Sequence, residues 1–147
     1  MLKTTKYLAR AVLEVLSDAR LTEAELLAKE GHFGTAIYLG GYALECLLKA
    51  VICRRLDLDE LPATFHSHDL EALLLHSGLH RRMESKSAVH ENFRKASDIW
   101  MLDNTADSVR YRDPSAFVGQ DYENFNKWLC GREAGVIPWL RDQISNM

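Results

Sequence analysis

The sequence predicts an all-α protein, a single domain folded as a four- to five-helix up-and-down bundle. Apolar residues recur at helical spacing along most of the 147 residues. No stretch alternates apolar and polar residues as a half-buried strand does, and Gly and Pro fall in a few places that divide the chain into segments. The length suits one domain with a substantial core. We therefore expect residues 1–147 to form one helical bundle.

The first helix is predicted from Lys6 to Glu30, because that stretch has neither Gly nor Pro and repeats apolar residues at helical intervals. Within it, "TEAE" from Thr22 can form a capping box with Glu25. Two alternatives follow, one long helix or two short ones joined near Leu21. Gly31 is expected to end the region.

The second helix is predicted from near Phe33 to about Leu56. It is apolar on most sides, so it should be the central helix of the bundle. Its small residues cost helix propensity, which indicates that a neighbouring element approaches its backbone closely. These small residues are Gly34, Gly40, Gly41 and Ala43.

The remaining elements are shorter. "DLDELPATFHSHDL" is predicted to be a loop, because Pro62 cannot occupy a helix interior. A third helix should run from about Ser67 to His76, capped by Ser67 or Asp69 and stopped by Ser77-Gly78, and a fourth from roughly Ser85 to Leu102. The turn "LDNTADSVRYRDPSAFVG" follows. The last helical segment, about Gln120 to Ser145, is expected to kink or break at Gly131, Gly135 and Pro138.

Charge and cysteine content limit the functional classes. The net charge of −3 argues against electrostatic binding of nucleic acid by the protein surface as a whole, but it is consistent with a local basic patch. Cys46, Cys53 and Cys130 are odd in number and lack C-x-x-C spacing, so we interpret them as reduced and structural, in a cytoplasmic protein. "MLKTTKYLAR" lacks the apolar run of a secretory signal. The second predicted helix is interpreted as a core helix and not as a membrane span. The Glu45 carboxylate and the Lys49 ammonium near its centre would each cost roughly 2.5–3.5 kcal/mol to insert into a membrane.

The stretch "GHFGTAIYLGGYALECLLKAVIC" carries a polar seam, which we define as Tyr38, Tyr42, Glu45 and Lys49. Their steps of four, three and four place them on one stripe of the helix. Either the seam fixes the register between helices or it forms the wall of a cleft. The nearest candidate partners are in "SVRYRDP", where Arg110 could pair with Glu45 and Tyr111 could stack beside it.

The blocks "LAKEGHFGTAIYLGGYALECLLKAVI", "HSHDLEALL", "VRYRDP" and the closing "WLRDQI" resemble the HEPN domain family in order and spacing. The resemblance covers about residues 21–144. It implies a four- to five-helix bundle, frequent homodimers, nucleotide or RNA as ligand, and a place in prokaryotic defence, toxin–antitoxin or nucleotidyltransferase-associated modules. Many members are metal-independent endoribonucleases that use an Arg followed, after four to six residues, by a His.

This chain departs from that pattern, because no His follows Arg110 or Arg112 and the last His is His90. Metal-free RNA cleavage needs a proton-transferring group of near-neutral pKa and a cation. Arg110 supplies a cation, while His68 or His90 could supply the base only if folding brings one of them close. Lys49 and Tyr111 would then position the substrate.

The histidines His66, His68, His76 and His80, with Asp69, lack the spacing of a preformed metal site, so we expect neither metal nor cofactor. The leading hypothesis is an HEPN-like domain that binds nucleotide or RNA without cleaving it, as a homodimeric accessory or regulatory subunit. Its predicted ligand-binding residues are Tyr38, Tyr42, Glu45, Lys49, Arg110 and Tyr111. The alternatives are an endoribonuclease using Arg110 with His68 or His90, and a purely structural interaction module.

Overall fold

The computed structural model describes residues 8–101 and 109–147, and these form seven α-helices. The helices are α1 (Arg10–Lys29), α2 (Phe33–Arg55), α3 (Leu70–His76), α4 (His80–Glu84), α5 (Ser87–Met101), α6 (Gly119–Cys130) and α7 (Val136–Ser145). Within those two ranges there is no strand, only an isolated bridge between Ala9 and Glu60. The all-α prediction is confirmed. The predicted count of four to five helices is too low for the described residues, because α4 is an additional short helix and the last predicted segment is divided into α6 and α7.

The first helix is a single helix, so the alternative of two short helices is wrong. Thr22 does not cap a new helix, because its hydroxyl donates to the Asp18 carbonyl at 3.2 Å within α1. Gly31 ends the region as predicted, with φ of 84°, a left-handed conformation that favours glycine. The predicted start at Lys6 lies outside the described residues.

Helix α2 is the central helix, as predicted, and most of its residues are buried. It packs along α1 and also contacts α3, α5, α6 and α7. By length and composition α2 could cross a membrane, but 83% of its apolar window is buried inside the fold. This burial is compatible with the core helix of a soluble protein.

The third and fourth predicted helices need correction at their ends. Helix α3 begins at Leu70, three residues later than predicted, because Asp69 has the extended backbone of an N-cap and its side chain accepts the Ala72 N–H at 3.1 Å. The short α4 was not predicted, since five residues are too few to show a period. Helix α5 begins at Ser87, and the predicted end at Leu102 lies outside the described residues.

The last predicted segment is broken, not kinked. Helix α6 ends at Cys130 and α7 begins at Val136, with residues 131–135 forming the turn between them. Pro138 occupies the first turn of α7, where its missing N–H has no helical partner to lose.

The small residues of α2 admit close neighbours, as predicted. An added Cβ at Gly41 would lie 2.1 Å from Cδ1 of Trp100, so only glycine lets that indole lie against the helix backbone. Trp100 is fully buried, and its indole N–H donates to the Tyr38 carbonyl at 3.0 Å. At Gly34, an added Cβ would lie 2.9 Å from the backbone of Pro114. These glycines bring α5 and the 109–118 loop onto α2.

Candidate functional site

The candidate site is centred on Glu45, a carboxylate in α2 that is only 2% exposed. Its Oε2 lies 3.0 Å from Nζ of Lys49, one turn further along the helix, and Lys49 is buried with it. A buried charge must be paired and hydrogen-bonded, so this ion pair satisfies the requirement for both groups. Lys49 is therefore a counterion of Glu45 and has little surface left for a ligand.

His68 reaches the second oxygen of Glu45 from the loop before α3. Its Nδ1 lies 2.7 Å from Glu45 Oε1, and because a carboxylate only accepts, Nδ1 carries the proton and donates. The loop is held by Ser67, whose hydroxyl oxygen accepts the Asp69 N–H at 3.0 Å, and by the Asp69 cap of α3. The side chain is 62% exposed, so a ligand can reach the imidazole.

Arg110 approaches the same Glu45 oxygen from the loop that follows α5. Its Nη2 lies 3.8 Å from Oε1, within ion-pair distance but too long for a hydrogen bond. The guanidinium carbon lies 4.4 Å from the centre of the Trp100 ring, a cation–π contact on a buried indole. The Trp100 ring thus helps to fix the position of the Arg110 guanidinium.

Beside Arg110 lies a surface depression of about 470 Å³. Its lining combines the start of α2 with the 109–114 segment, namely Gly34, Thr35, Tyr38, Val109, Arg110, Tyr111, Arg112, Asp113 and Pro114. Tyr38 is 36% exposed, and the centre of its ring lies 6.3 Å from the centre of the Trp100 ring. Tyr111 is 72% exposed.

The structure therefore brings together most of the predicted ligand-binding residues. Lys49 and Arg110 each pair with one oxygen of Glu45, while Tyr38 and Tyr111 line the adjoining depression.

Tyr42 lies apart from that group, facing α1, with the guanidinium carbon of Arg20 6.0 Å from its ring centre. Burial, followed by the nearby Cys46 and Glu45, raises the pKa of the Tyr42 hydroxyl. The hydroxyl therefore stays protonated at neutral pH.

The two candidate bases are separated by the fold. His68 contacts Glu45, whereas the His90 ring lies 6.3 Å from that of His80. The depressions that His90 lines are bounded by residues of α3, α4 and α5 and include neither Glu45 nor Arg110. Of the two, only His68 belongs to the site.

The described residues contain no group of three or more histidine, cysteine or acidic side chains placed to hold a metal ion. His66, one of the histidines weighed as a ligand, instead has Nε2 3.4 Å from the Leu61 carbonyl. His76 packs against the Phe65 ring.

No protein-family model, curated protein or solved structure matches this chain. The resemblance to the HEPN family thus rests on the sequence motifs alone.

Trp100 is the site residue that sequence reasoning missed. Its ring is fully buried, so it belongs to the core as well as to the site. The available signal was Gly41 in α2, because a glycine inside a helix can leave room for a large ring against the helix backbone.

The site thus combines three groups. The Glu45 carboxylate orients the His68 imidazole, and the Arg110 guanidinium, which packs on the Trp100 ring, lies close to the same carboxylate. Such an arrangement can bind an oxyanion through charge-assisted hydrogen bonds. It can also transfer a proton at Nε2 of His68.

Proposed function

We propose that this protein is an HEPN-like domain that binds nucleotide or RNA through the site formed by Arg110 and His68. It would act in the cytoplasm as a homodimeric accessory or regulatory subunit of a defence or toxin–antitoxin type module, with a nucleotidyltransferase or another protein of that module as partner. The observation that carries the proposal is the convergence of Arg110 and His68 on Glu45 beside an aromatic-lined depression.

Three features support an anionic, nucleotide-like ligand. A guanidinium presents N–H donors in a fork that suits phosphate oxygens. The partly exposed Arg110 is packed on Trp100, so less side-chain entropy is lost when it binds. The volume of the depression falls in the roughly 300–1,000 Å³ range of small-molecule sites.

Titration calorimetry with mono- and dinucleotides tests this proposal. We expect heat of binding for the wild type, and affinity reduced by about 10- to 150-fold in Arg110→Ala, the loss of one charge-assisted contact of about 1.5–3 kcal/mol. Arg54→Ala is the matched control, because Arg54 is an exposed arginine in the last turn of α2 that pairs with Glu14 of α1. The absence of heat with every nucleotide would contradict nucleotide binding.

A second candidate function, metal-independent endoribonuclease activity, is favoured by the contact of His68 with Glu45. With Nδ1–H held by the carboxylate, Nε2 of His68 can accept the proton of a ribose 2′-hydroxyl. The 2′-oxygen would attack the adjacent phosphorus, the bond to the 5′-oxygen would break, and that oxygen would leave protonated by water. Arg110 would stabilise the charge that develops on the phosphate oxygens.

Incubation of a labelled RNA with purified protein in EDTA tests cleavage. If His68 is the base, His68→Gln abolishes product formation while His90→Gln cleaves like the wild type. Intact RNA with the wild type would refute the nuclease and leave the binding function in place.

A further inference from the structure

We infer that the depression beside Arg110 is a nucleobase subsite, where an unpaired base stacks on Tyr111 while Arg110 holds the adjoining phosphate. This inference rests on the proposed nucleotide-binding function, and it identifies the base as the part of the ligand that enters the depression. It also adds a requirement that the ligand be single-stranded.

The first argument is the exposure of Tyr111 in an otherwise anchored segment. Its neighbours Arg110 and Arg112 both lie over rings, the guanidinium carbons being 4.4 Å from the Trp100 ring centre and 4.8 Å from that of Phe117. Tyr111, between them, is 72% exposed. A large aromatic ring held outward between two fixed cations offers a stacking face to a ligand.

The second argument is that two elements each contribute an aromatic ring to the depression. Tyr38 from α2 lines it, and so does Tyr111 from the 109–114 segment. Tyr38 is itself fixed, because its carbonyl accepts the Trp100 indole N–H and its ring neighbours the indole. The volume of about 470 Å³ leaves room for a base and its ribose.

The third argument concerns orientation within the site. Asp113 also lines the depression, and its carboxylate accepts the Ser115 backbone N–H at 2.9 Å and the Ser115 hydroxyl at 2.8 Å. These hydrogen bonds lower the pKa of Asp113, so it is charged and repels a phosphate from that side. The phosphate therefore belongs on the Arg110 side, and the uncharged base belongs in the depression.

A base can stack on Tyr111 only if it is not already paired and stacked in a duplex. The base faces of an A-form helix are covered by their neighbours, and single strands expose them. The subsite therefore predicts preference for single-stranded RNA over the same sequence in duplex form.

Fluorescence anisotropy in EDTA tests the subsite, with a short labelled RNA of unpaired sequence and the same strand annealed to its complement. We expect the single strand to bind at least about tenfold more tightly than the duplex. Tyr111→Ala should weaken single-strand binding by about 5- to 150-fold, the value of one base–aromatic stack. Tyr111→Phe, which keeps the stacking ring, should bind within about twofold of the wild type.

Val118→Ala is the matched control, because Val118 is an exposed apolar residue just past the depression and does not line it. Equal binding of single strand and duplex, or unchanged binding by Tyr111→Ala, would overturn the base subsite. If Arg110→Ala still loses affinity in that case, the proposed function stands without the subsite. No binding of either RNA by the wild type would overturn both.

Discussion

Glu45→Gln is the substitution whose effect on stability follows most directly from the structure. The change keeps the shape of the side chain and removes its charge. Lys49 would then be left buried without a counterion, since its side chain is only 8% exposed and it pairs with Glu45 Oε2 at 3.0 Å. An uncompensated buried charge is among the most destabilising single changes known in proteins.

The expected loss is about 3 kcal/mol in the free energy of unfolding, the lower end of the roughly 3–5 kcal/mol for breaking a buried pair. The lower end applies because the glutamine carbonyl can still accept a hydrogen bond from Lys49. The contact with His68 adds little, since that imidazole is 62% exposed and well solvated.

Urea unfolding at neutral pH measures the loss, and two further variants complete the test. Glu45→Gln combined with Lys49→Met should recover most of the stability, because an apolar pair can replace a buried ion pair. Glu14→Gln is the control, since the Glu14–Arg54 pair is even shorter, at 2.7 Å, but about one-third exposed, and the variant should lose less than about 1 kcal/mol. A loss at Glu45 no larger than that at Glu14 would refute the reasoning.

Further predictions concern Gly41 and Cys46. Gly41→Ala should lower the free energy of unfolding by about 1–3 kcal/mol, because the added methyl group overpacks against Trp100. Urea unfolding should show a smaller loss of stability for Gly119→Ala, whose added Cβ would lie 3.4 Å from its nearest neighbour. Burial, with the nearby Glu45, raises the pKa of the Cys46 thiol from 9.0 to about 11. The unfolded chain therefore loses this proton first, and stability should fall by up to about 1.4 kcal/mol per pH unit between those values. Cys46→Ala should unfold with a shallower dependence on pH over that interval, and an identical dependence would contradict the shift.

Much of the fold could be predicted from local pattern, and the failures have local causes. The central position of α2 and the end of α1 at Gly31 followed from apolar periodicity and from turn chemistry. The start of α3 was missed because Ser67 and Asp69 are both good N-caps, and only the fold determines that Asp69 takes the role. Helix α4 is too short for periodicity to reveal.

The contacts of the candidate site that lie within one helix could be predicted from the sequence, whereas most contacts between separate elements could not. Helical spacing alone places Glu45 and Lys49 together. The choice of His68 over His90 depends on how the loop before α3 is placed against α2, which no local pattern records. Trp100 looked like any core residue because its supporting role depends on a cation that arrives from a separate loop.

The central claim is that a nucleotide binds where Arg110 and His68 meet, and NMR chemical-shift mapping tests it most directly. The chain has three tryptophans. The Trp100 ring lies under the Arg110 guanidinium and its indole N–H donates to the Tyr38 carbonyl, whereas Trp128 and Trp139 lie on α6 and α7. On titration with a dinucleotide, we predict shifts of the Trp100 indole and the His68 imidazole, with the other two indoles unmoved. Shifts at Trp128 or Trp139 without Trp100 and His68, or no shifts at all, would contradict the account.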